Sequence, residues 1–127
     1  MIPETLILRL SKTTHGFKPF EKEARALLDP DSLEGSRDIA LELLTSGAYQ
    51  VRCCGVFMLG LIAASDASVL HLLKEQARTD ISWQVQEVIA KAFDQFCRDR
   101  GYGQSLPEIR EWLADPTPTC AGRLPRD

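Results

Sequence analysis

The sequence contains no Cys-x-x-Cys pair, no Asn-Gly or Asp-Gly dipeptide, no surplus of positive charge and few aromatic residues. Each absence excludes something. Four cysteines, Cys53, Cys54, Cys97 and Cys120, stand far from the two histidines, His15 and His71. No metal site is therefore expected, because structural zinc sites draw on closely spaced Cys and His ligands. Cys53 and Cys54 lie in an apolar run and read as small buried side chains. Unpaired thiols suit a reducing compartment, and a cytoplasmic location is expected. Without hairpin dipeptides or sustained apolar alternation there is no strand signal. The uncharged stretch Cys53 to Ser65 is too short to cross a bilayer, and it reads as a helix buried on most sides. No basic leader precedes an apolar block at the start, so neither a secretion signal nor a membrane association is expected. With a net charge of −3, no global field draws the chain toward nucleic acid, although a local basic stripe is compatible with that total.

What is present is helical periodicity. Its 127 residues make one domain's worth of chain, and 44% of them are hydrophobic. Leu6, Ile7 and Leu10 line one face of a short helix from Pro3 to Ser11. Thr13 to Gly16 breaks it, and a second helix runs from Phe17 to Leu28, where Asp29-Pro30 stops it. Leu33 to Ser46 carries Ile39, Ala40, Leu43 and Leu44 at helical spacing, with Gly47 as a stop. Tyr49 to Ala64 follows. Asp66 can cap the next helix, which uses Val69, Leu72, Leu73 and Ala77. Ser82 can cap its partner, Trp83 to Arg100, which Gly101 ends. Ser105 to Glu108 matches a capping box with Pro107 in the first turn, opening a helix to about Ala114.

These helices repeat. Tyr49-Gln-Val-Arg and Trp83-Gln-Val-Gln share an aromatic, a glutamine and a valine at an offset of 34 residues, and each opens a long helix. A period of this size marks an array of helix pairs in which each pair buries its apolar face against its neighbours. The fold class expected is all-α. Two complete pairs are followed by the first helix of a third. A third copy of the motif is due near position 120, where Thr117-Pro-Thr-Cys-Ala-Gly-Arg123 stands and cannot be helical. Ile109, Trp112 and Leu113 are then expected to be under-covered, which favours self-association through the last helix.

The genetic code offers an account of that break. Read one base over from the last base of the Pro116 codon, the codons permit Asn-Pro-Asn-Val-Arg-Arg-Ala-Ala-Ser-Glu-Gly. That frame restores a valine near position 120, in step with Val51 and Val85. Residues 1–116 are thus read as the repeat domain and 117–127 as an out-of-frame tail. Sequencing the coding DNA past codon 116 checks this: a helical frame should continue out of register there, and its absence ends the idea.

On the helix from Trp83, Val85, Val88, Ile89, Ala92, Phe93 and Phe96 form the apolar face. Trp83, Glu87, Lys91, Asp94 and Arg98 form the opposite stripe. An aromatic one turn before a carboxylate can support a base or sugar while the anion stabilises a developing cation or orients water. The same residues also suit simple packing and an i, i+4 pair of Glu87 with Lys91.

The run Ser82-Trp-Gln-Val-Gln-Glu-Val-Ile-Ala-Lys-Ala-Phe-Asp-Gln-Phe-Cys97 resembles the DNA alkylation repair family of HEAT-like repeat proteins, the AlkD and AlkC type. Ile109-Arg-Glu-Trp-Leu-Ala-Asp-Pro116 resembles it too. The resemblance covers roughly residues 33 to 116. It implies HEAT-like helical hairpins in a short right-handed α-α superhelix that holds double-stranded DNA. It also implies a glycosylase acting on N3- or N7-alkylated purines without cofactor or metal. Trp83 and Glu87 match the family's tryptophan and acid four residues later, as catalytic candidates, with glutamate departing from the aspartate of the AlkD pattern. The family's later arginine has no counterpart here, so efficient catalysis by this chain is not expected. If the second helices of the pairs line the concavity, Arg52, Lys91 and Arg98 are the candidate DNA contacts. The alternative is a non-enzymatic helical scaffold for a protein partner, which the acidic net charge and the uncharged helix favour.

Overall fold

The computed structural model describes residues 2–13 and 16–115. The expected out-of-frame tail, Cys120 and His15 lie outside them. Among the described residues there are seven α-helices and no strand: α1 Glu4–Ser11, α2 Lys18–Leu27, α3 Leu33–Leu44, α4 Tyr49–Ala63, α5 Leu70–Thr79, α6 Trp83–Arg100 and α7 Leu106–Ala114. A 3-10 turn, Ala67–Val69, leads into α5. The architecture is an all-α array of helical hairpins, as the periodicity predicts.

Helix α4 is the centre. It packs against α2, α3 and α6, and more lightly against α1 and α5. Eleven of its residues are buried, from Val51 to Ala63, which is why its apolar positions show no single face. Two glycines set how closely its neighbours approach. A Cβ at Gly60 would lie 2.8 Å from the Ala92 Cβ and 3.0 Å from the Ala92 carbonyl oxygen on α6. A Cβ at Gly55 would lie 2.9 Å from the Ala40 carbonyl oxygen on α3. Small residues at these crossings let backbones meet that larger ones would hold apart.

The capping signals resolve differently from one another. Ser82 Oγ accepts from the Val85 amide at 3.4 Å, Ser32 Oγ from the Gly35 amide, and the Asp66 carboxylate from the Ser68 amide. Gly101 ends α6 at φ 89°, a conformation open to glycine. The capping box at α7 does not form. Ser105 is buried with ψ near 3°, and its hydroxyl donates back to the Gly101 carbonyl at 3.0 Å. Glu108 pairs instead with Arg100 at 3.3 Å, so the reciprocal side-chain bonds of a box are absent.

Helix α7 is better covered at Trp112 than its sequence suggests. Trp112 is buried and stacks on Phe93 at 4.0 Å between ring centroids. Ile109 is half-buried, whereas Leu106 and Leu113 are exposed. Asp115, just past the helix, accepts from Arg78 at 3.0 Å and tethers α7 to α5.

The repeat is visible in the hydrogen bonds. In the second hairpin the Asp80 carboxylate accepts from the Ser82 amide, and Gln86 Nε2 donates to the Asp80 carbonyl at 2.8 Å. In the first, 34 residues earlier, Ser46 Oγ accepts from the Ala48 amide and Arg52 Nη1 donates to the Ser46 carbonyl at 3.0 Å. The second helix of each pair thus closes the turn before it from its fourth residue, satisfying a carbonyl left over past the end of the preceding helix.

Candidate functional site

Helices α2 and α6 flank α4 and leave a cleft of about 490 Å³ between them, with Phe57 and Leu61 of α4 among its lining. The polar stripe of α6 forms one wall. Its position follows from the helix period, since Val85, Val88, Ile89, Ala92, Phe93 and Phe96 are all buried and turn the other face outward. Glu87, Lys91, Asp94 and Arg98 all line the cleft, opposite Glu21 and Arg25 of α2.

The charges in this cleft are mostly spoken for. Arg25 pairs with Glu21 at 3.1 Å, and Arg98 pairs with Asp94 at 3.2 Å while touching Gln95. The Asp94 carboxylate also accepts from the Tyr102 hydroxyl at 2.7 Å, a bond that pushes the phenol pKa up. Glu87 is different. It is half-buried and makes no ion pair or hydrogen bond with any described residue, so the i, i+4 pair with Lys91 does not form. Lys91 points elsewhere, with its ammonium 5.8 Å from the centre of the Phe17 ring. Trp83 is 55% exposed, one turn before Glu87, and lies outside the lining of the cleft. An unpaired carboxylate beside an apolar floor can stabilise a cation or hold a water. The neighbouring exposed indole offers a stacking surface.

Arg52 is not where the sequence suggests. Its side chain is 16% exposed, and the guanidinium spans two hairpins: Nε and Nη2 donate to the Asp80 carboxylate at 2.8 and 3.2 Å, and Nη1 donates to the Ser46 carbonyl. The expectation of a phosphate contact at Arg52 is therefore corrected, because its donors are committed inward. The Asp80 side chain is 2% exposed and also accepts from Gln76 at 2.7 Å and from the Ser82 amide. Burial pushes its carboxyl pKa up. The bonds from Arg52, Ser82 and Gln76 and the guanidinium charge outweigh that, and hold it below its ordinary value.

Gln86 completes the cage, donating to the Ala77 and Asp80 carbonyls at 2.7 and 2.8 Å. Sequence reasoning missed Asp80, Gln76 and Gln86. The equivalence of Arg52 and Gln86 at the 34-residue offset was the signal available for them.

Cys53 and Cys54 are buried, and burial is the main cause that pushes each thiol up to about 12. They are packing residues rather than nucleophiles at neutral pH. Among the described residues no group of His, Cys, Asp and Glu is placed to hold a metal ion, and no helix is long and apolar enough to cross a membrane.

No protein-family model matches the chain, and no curated protein does. Two solved structures match. AlkD2 from Streptococcus mutans superposes with a TM-score of 0.78 at 35% identity over 87% of this chain. The protein smu.31 from Streptococcus mutans UA159 superposes with a TM-score of 0.74 at 32% identity over 91% of it. The chain spans 53% of the first and 57% of the second, little more than half the length of either. On its helical-repeat architecture and these likenesses, the chain is an AlkD-like, HEAT-like helical-repeat protein.

Proposed function

We propose that the chain is a DNA-binding HEAT-like repeat protein related to the alkylpurine DNA glycosylases, with Glu87 and Trp83 at the point of chemistry. The observation that carries this is Glu87, a half-buried carboxylate on the cleft wall that no described cation neutralises. A purine alkylated at N3 or N7 already bears positive charge and leaves readily. Breaking its N-glycosidic bond returns the bonding electrons to the base, which departs neutral, and the sugar is left with cationic character at C1′. The Glu87 carboxylate stabilises that cation and orients a water, whose oxygen bonds to C1′ and whose proton passes to the carboxylate or to solvent. No metal and no general acid on the leaving group is required. Trp83 packs against the lesion nucleotide, and Lys91 and Arg98 supply backbone phosphate contacts, Arg98 in exchange for its bond to Asp94.

DNA binding is tested by titrating a fluorescein-labelled duplex carrying N7-methylguanine at increasing salt. Two phosphate contacts give a slope of about −2 in log affinity against log salt, and Lys91→Glu should flatten it by about one unit. An affinity that does not respond to salt counts against the DNA reading and favours an apolar groove for a protein partner.

A further inference from the structure

Helix α2 lies in the same layer as α4 and α6, although its sequence stands outside the 34-residue repeat. It packs along α4, as α6 does, with Phe20 and Ala24 buried and Phe17 and Leu27 against the core. Glu23 is drawn the other way, to Arg9 of α1. Helical spacing then puts Lys18, Glu21, Lys22 and Arg25 on one outward stripe, and Glu21 and Arg25 of that stripe line the cleft. Those two pair with each other at 3.1 Å, so their charges offset. Lys18 and Lys22 are exposed, and neither makes an ion pair with a described residue. Lys18 is also badly placed for the helix itself. It is the first residue of α2, at the positive end of the helix dipole, where a cation weakens the helix. The fold gives neither lysine a partner, and it loses by Lys18.

We propose that Lys18 and Lys22 hold phosphates of the duplex backbone, which makes α2 the second wall of the nucleic-acid surface, opposite α6. This rests on the DNA-binding reading above, in which Lys91 and Arg98 are the contacts from α6. The two walls are joined by the Lys91 ammonium, which lies 5.8 Å from the centre of the Phe17 ring. Phe17 is the residue before Lys18 and stands at the start of α2, so a phosphate that takes Lys91 lies beside the first turn of that helix. Three lysines without an acidic partner among the described residues thus border one cleft, whose arginines, Arg25 and Arg98, are paired. The stripe on α2 carries no apolar side chain, so a hydrophobic partner has nothing to bury there. A polyanion is what its free charges fit. Lysine meets a phosphate as a point charge on a flexible stem, so these contacts fix position and carry no sequence preference.

The test uses the full chain and an unmodified fluorescein-labelled duplex, titrated by anisotropy between about 25 and 200 mM salt. The two contacts from α6 alone give a slope of about −2 in log affinity against log salt. With two more from α2, the wild-type slope should be about −4. Lys18→Gln and Lys22→Gln should each flatten it by about one unit, and the double variant should return it to about −2. Both should unfold at the wild-type midpoint or slightly above it, since the side chains stand in solvent and Lys18 opposes the dipole. Arg110→Gln removes the same charge from an exposed position on α7, outside the lining of the cleft, and should leave the slope unchanged. A wild-type slope near −2 that neither lysine variant alters overturns the role of α2 and leaves the DNA reading standing. An equal flattening by Arg110→Gln does the same, because it reports net charge alone. Wild-type binding that does not respond to salt, or no binding at all, overturns the DNA reading and the α2 contacts together.

Discussion

In the protein with its reading frame restored past codon 116, Glu87→Gln should lower the rate of N7-methylguanine release from duplex DNA by about a hundredfold or more, with duplex affinity unchanged or slightly improved. The amide keeps the shape and one acceptor oxygen but removes the charge. Removing one preorganised group that faces developing charge costs about 3 kcal/mol or more in transition-state stabilisation. The effect is large here because no ion pair among the described residues competes for the carboxylate, and the apolar floor of the cleft limits screening. In the proposed DNA complex the same carboxylate would lie near phosphates, so its neutralisation should not weaken binding. Single-turnover release measured beside anisotropy separates the two quantities. Full-rate release by the variant rules out the role given to Glu87. Wild-type release no faster than spontaneous depurination removes the catalytic assignment and leaves a binding protein.

Arg52→Ala should destabilise the fold by about 3 to 5 kcal/mol, a large share of the total for a domain of this size. The substitution strands Asp80, whose side chain is almost entirely buried, and leaves the Ser46 carbonyl without its donor. It also loosens the two hairpins from each other, since the guanidinium bridges them. The pH dependence has a definite sign. The folded-state pKa of Asp80 lies below its unfolded value, so the stability it contributes is present above about pH 4 and is lost as pH falls through the depressed value. Denaturant unfolding of wild type between pH 7 and pH 2 should therefore show an acid limb that Asp80→Asn flattens. High salt should change the wild-type midpoint little, because the pair is shielded from solvent. Equal stability of Arg52→Ala and wild type at pH 7 would show that the bridge is incidental.

The sequence was most legible where one interaction dominates. The buried face of α6 follows from its period alone, and each of its six named residues is buried. Ser82 caps α6 and Gly101 ends it as expected, because both depend on neighbours within a turn. The Ser105–Glu108 signature misled for a related reason. The turn after Gly101 decides the Ser105 backbone angles, and Arg100 from the previous helix claims Glu108. Coverage of Trp112 depended on Phe93, which lies 19 positions earlier and meets it only once α6 and α7 pack.

The candidate site divides along the same line. Trp83, Glu87, Lys91 and Arg98 share a surface because helical spacing puts them there, and no tertiary contact is needed to deduce it. The unpaired state of Glu87, the cleft beneath it and the inward turn of Arg52 had no such local signature. They arise where α2, α4 and α6 meet and where Asp80 reaches a guanidinium 28 residues away. By itself the sequence determined the helices, their order, their period and the stripe of polar residues on α6, since these rest on interactions a few residues apart. Only the tertiary structure decided which charges are free to act, because burial and pairing depend on which distant side chains the packed helices bring within reach.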